Sequence, residues 1–74
     1  MENLKDVCLR AIQFDEKNPK IELKYPRTYD NVVITQIGPV QGFMIRQDPL
    51  HDVYEFNARE VLAHLEEEDL STMG

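Results

Sequence analysis

Cysteine is almost missing from this chain: Cys8 is the single thiol in 74 residues. It has no partner within the sequence, which excludes an internal disulfide and suits a reducing compartment. Histidine is nearly as scarce. His51 and His64 fall in different predicted elements, neither with a ligand neighbour at conventional spacing, so no metal site is predicted. Long apolar runs are also lacking. No stretch approaches the roughly 18 residues of a membrane span, and Met1-Glu2-Asn3-Leu4-Lys5-Asp6 lacks the basic-then-apolar pattern of a secretory signal. The expectation is a soluble cytoplasmic protein without cofactor or membrane contact.

Cations are short at one end only. Residues 52–69 hold seven acidic side chains against one cation, Arg59, and so carry the whole formal charge of -6. Residues 1–51 balance seven Lys and Arg against seven Asp and Glu. A neutral body with an acidic C-terminal flank favours basic partners, and like charge opposes direct contact with nucleic-acid phosphates.

The 42% hydrophobic and 30% charged content is ordinary for a folded domain. A chain this short buries only roughly 60% of its unfolded surface, so its core is thin. With disulfide and metal excluded, self-association is the expected aid to stability.

The period of apolar residues separates the elements. Leu4, Val7, Cys8, Ala11 and Ile12 form one helical stripe, with Asn3 as N-cap, and predict a helix from Leu4 to Phe14. Leu9 points away from that stripe. Pro19 follows a polar breaker, after which the period falls to two: Ile21, Leu23 and Tyr25 alternate with Lys20, Glu22 and Lys24. The β-branched run from Val32 to Ile37 predicts a central strand. Gly38-Pro39-Val40-Gln41-Gly42 reads as a turn, Phe43 to Arg46 as the next strand, and Val53 to Phe56 as the last. Short links favour sequence neighbours pairing.

A second helix begins at Asn57, an N-cap followed by an acid at the third helical position, Glu60. Ala58, Val61, Leu62 and Leu65 form its buried stripe, while Glu60, Ala63, His64 and Glu67 fall on the opposite side. Leu70 lies off the stripe: either the helix stops before it or Leu70 touches something else.

The predicted architecture is α+β in the order α-β-β-β-β-α, an antiparallel meander of three to four strands with both helices on one face. One domain spans residues 1–70, and residues 71–74 are expected to form a mobile tail. The other sheet face, read as Lys20, Glu22, Lys24, Thr35 and Glu55 with Val33, Ile37, Met44 and Val53, is apolar enough to suggest a dimer surface.

Glu66-Glu67-Glu68-Asp69 is the sharpest motif. Near a helix C-terminus, where the macrodipole favours cations, four acids oppose local stability. They read as an electrostatic handle for a basic surface, or as a solvated end that only keeps the protein in solution. Mimicry of DNA phosphates fits less well. The charge is modest beside one phosphate per about 1.7 Å of duplex axis.

His51 beside Asp52 has the composition of a general-base pair, but nothing in the sequence supplies a nucleophile or electrophile. Cys8 in an apolar stripe reads as a small buried hydrophobe. His64 stands four residues from both Glu60 and Glu68, which is surface pairing distance on a helix. The glycines of the Gly38–Gly42 turn lack the Lys and Ser/Thr of a phosphate loop. Lys17, Lys20, Lys24 and Arg27 are nearly cancelled by Asp15, Glu16 and Glu22.

No catalytic constellation emerges. The sequence points to a small acidic, non-enzymatic, homodimeric interaction protein whose partner-binding residues are Glu60, Glu66, Glu67, Glu68, Asp69 and Leu70. The expected partner is a protein with a basic patch. The type suits an accessory or inhibitory protein of a phage or other mobile element. The alternative is a self-associating structural module whose acids only confer solubility.

Overall fold

The computed structural model describes residues 3–27 and 33–73. Its elements are α1 (Leu4–Phe14), β1 (Lys20–Pro26), β2 (Thr35–Ile37), β3 (Val40–Gln47), β4 (His51–Asn57) and α2 (Ala58–Met73). The expected order of two helices and four strands is what the chain adopts. All neighbouring strands are antiparallel, in the order β1-β4-β3-β2.

α1 has the predicted bounds, and its start is chemically specified. The Asn3 side chain accepts a hydrogen bond from the Asp6 backbone N–H at 2.9 Å, satisfying one of the donors that the first helical turn leaves open. After the helix, Asp15 accepts from the Lys17 and Asn18 backbone N–H groups and turns the chain towards Pro19. Pro19 is fully buried, and its carbonyl accepts from the Ala58 N–H at 3.0 Å, tying the start of α2 to the start of β1.

Two strand expectations need correction. β1 does not pair with β2; it closes the sheet against β4, with Ile21 opposite Phe56 and Leu23 opposite Tyr54. The strand predicted as central is instead the short edge strand β2, which pairs only Thr35 with Gly42, Gln36 with Gln41 and Ile37 with Val40. Val33 and Ile34 lie exposed ahead of it, and Val32 falls outside the described residues, as do positions 28–31. β-Branched density reports compatibility with an extended backbone; which strand sits centrally is decided by pairing.

The register also reassigns the sheet faces. Residues directly opposite across an antiparallel pair project to the same side. Thr35, Ile37 and Met44 therefore belong with Gly42, Val40 and Tyr54 on the helix side, contrary to the expected outer placement. On the outer face Glu22, Glu55 and Phe43 form one cross-strand row, Lys24, Val53 and Arg46 the next. Arg46 pairs with Glu22 at 2.7 Å. Met44 and Arg46 flank a register shift, so Ile45 is the inserted residue.

Between sheet and helices lies the core: Cys8, Ile21, Val40, Tyr54, Phe56, Ala58 and Val61, with Leu4, Val7, Ala11, Ile12, Leu23, Tyr25, Ile37, Leu62 and Leu65 packed against it. Both predicted helical stripes supply it. Tyr25 and Tyr54 meet edge to face with ring centroids 5.5 Å apart. Gly42 lies inside β3 rather than in a turn. A Cβ there would fall 2.4 Å from the Phe56 ring, so the missing side chain is what admits the phenyl group.

Candidate acidic binding face on the C-terminal helix

α2 starts where the sequence places it. The Asn57 carboxamide oxygen accepts from the Arg59 N–H at 3.0 Å and the Glu60 N–H at 3.2 Å. Arg59 reaches back to donate from its guanidinium to the Glu16 carbonyl. Ala58 and Val61 are fully buried, and Leu62 and Leu65 continue that stripe. The helix does not stop before Leu70. It continues through residues 71–73, which were expected to form a tail, while Gly74 lies outside the described residues.

The side of α2 away from its buried stripe is covered in part by the β2–β3 turn. Gly38 takes a left-handed backbone conformation, φ 55°, and lies directly beneath the His64 ring: a Cβ at position 38 would stand 2.3 Å from the imidazole. Only 16% of the His64 side chain is exposed, and its Nε2 lies 3.2 Å from the Glu68 carboxylate. Beside this contact an open pocket of about 290 Å³ is lined by Pro39, Val40, Glu60, Ala63, His64 and Glu67.

The acidic run is consequently divided among three tasks. Asp69 turns towards α1 and pairs with Lys5, so a cation from another element stands near the C-terminal end of α2, where the macrodipole favours one. A second open pocket, about 360 Å³, lies at that junction and is lined by Asn3, Leu4, Lys5, Leu65 and Asp69. Glu68 contacts His64. Glu67 faces the β2–β3 turn together with Glu60, and Glu66 and Leu70 are exposed. Ala63, Glu66, Glu67 and Leu70 are related by steps of three and four residues, so they make one continuous strip leading away from the pocket.

Of the six residues predicted to bind a partner, then, Glu60, Glu66, Glu67 and Leu70 share an outward surface, while Glu68 and Asp69 have contacts within the chain. Sequence reasoning missed Pro39, Val40 and Ala63 as lining residues and Lys5 as the partner of Asp69. The Gly-Pro turn signal was visible; its docking against α2 was not.

The remaining candidates are separated by the fold. His51 and Asp52, as strand neighbours, project to opposite faces. Asp52 is buried and accepts from Gln47 Nε2 at 3.1 Å, whereas His51 Nδ1 lies 3.5 Å from Asp48. Asp48 accepts from the Leu50 and His51 backbone N–H groups, and these hydrogen bonds hold its carboxyl below the usual carboxylate range. Burial pushes the Cys8 thiol up, which disfavours the nucleophilic thiolate. Tyr25 is also raised, first by burial and then by Tyr54. Lys17, Lys20, Lys24 and Arg27 are exposed. Among the described residues no group of three or more His, Cys, Asp or Glu is arranged to hold a metal ion, and no helix is long and apolar enough to cross a membrane.

Comparison with protein-family models, curated proteins and solved structures returns no match.

Proposed function

We propose that the protein is a non-enzymatic binding module that docks a basic surface of a partner protein onto the outward face of α2. The observation that carries this reading is the pairing of Glu60 and Glu67 in one open pocket with Pro39, Val40 and Ala63. Lys and Arg side chains have an aliphatic stem and a cationic head, and this lining offers an apolar surface for the first and two carboxylates for the second. At about 290 Å³ the pocket is at the lower limit of small-molecule sites, roughly 300–1,000 Å³, and its size matches one long side chain better than a cofactor. Glu66 and Leu70 extend the contact along the helix, with Leu70, 72% exposed, as its apolar anchor.

Self-association through the outer sheet face has less support than the sequence suggested. The register moves Ile37 and Met44 to the helix side, Val53 is already 2% exposed, and the Arg46–Glu22 pair crosses the face.

Affinity purification from the native host, with the intact chain and the triple substitution E60Q/E66Q/E67Q in parallel, tests the proposal. A partner with a basic patch should be recovered by the intact chain and lost with the triple variant. Equal recovery by a correctly folded triple variant refutes the proposed face. E16Q/E55Q removes two acids elsewhere and should leave capture unchanged.

A further inference from the structure

We draw no further inference here: the strongest candidate, the edge of β3 from Phe43 to Gln47 beyond the reach of β2, with its exposed Phe43, Met44 and Ile45, carries nothing because nothing among the described residues shows what covers it.

Discussion

Replacing Gly38 with alanine should be disproportionately costly for a turn residue, and the cost should have two separable parts. The backbone at φ 55° is left-handed, which costs an L-residue roughly 1–2 kcal/mol. The added methyl would also sit 2.3 Å from the His64 ring, and relieving such an overlap typically costs about 1–3 kcal/mol. The imidazole is largely enclosed and paired with Glu68, so it cannot move aside without giving up that contact. G38A should therefore lose about 2–5 kcal/mol in urea denaturation followed by circular dichroism. His64→Ala in the same background removes the overlap but leaves the backbone strain. The double-mutant cycle should recover about 1–3 kcal/mol of favourable coupling. A G38A variant within about 0.5 kcal/mol of the parent, or a cycle with no coupling, would refute the docking of the β2–β3 turn on α2.

Asn57→Ala, which removes the acceptor for two backbone N–H groups of α2, should destabilise by about 1 kcal/mol, while Asn57→Asp should be nearly neutral. Lys5→Met should change stability by no more than about 1 kcal/mol, because Lys5 and Asp69 are both substantially exposed and such pairs are screened; a larger loss would mean that the helix–helix junction depends on this pair. Cys8 and Tyr25 are both raised in the fold, so each favours the folded state below its unfolded pKa and loses that contribution as pH rises through the folded value. Denaturant midpoints should therefore fall above the ordinary thiol value of 9.0 and fall further above the ordinary phenol value of 10.0. Cys8→Ala should delay the onset of that decline, and an unchanged onset would show that the thiol does not drive it.

Local elements were legible because local chemistry specifies them. Asn3 and Asn57 each stand immediately before an apolar stripe, and each accepts from backbone N–H groups of the first helical turn. Alternation in β1 likewise matched its burial, with Ile21 inward and Lys20 and Glu22 exposed. Pairing was harder to read. The β-branched residues up to Ile37 fit any strand position, and only the closure of β1 onto β4 leaves β2 at the edge. The end of α2 was hidden for a different reason: helix propagation needs one hydrogen bond per residue and no apolar partner, so Ser71 extends it without adding to any stripe.

The candidate site was legible as a charge excess and illegible as a surface. Four consecutive acids in the sequence look equivalent, but successive residues on a helix are turned by about 100°, which sends Asp69 towards Lys5 and leaves Glu66 outward. Beyond Ala63, the apolar part of the pocket comes from Pro39 and Val40, far from α2 along the chain. Contacts of that kind depend on the tertiary path of a hairpin, which no spacing rule encodes.

Calorimetric titration of the recovered partner against the intact chain and E60Q/E67Q tests the central claim most directly. Two exposed charge contacts of about 0.5–1 kcal/mol each predict a roughly 5- to 30-fold weaker Kd for the variant, with the gap narrowing as salt is raised. The same Kd for both proteins at low salt would contradict the assignment of Glu60 and Glu67 to a basic partner.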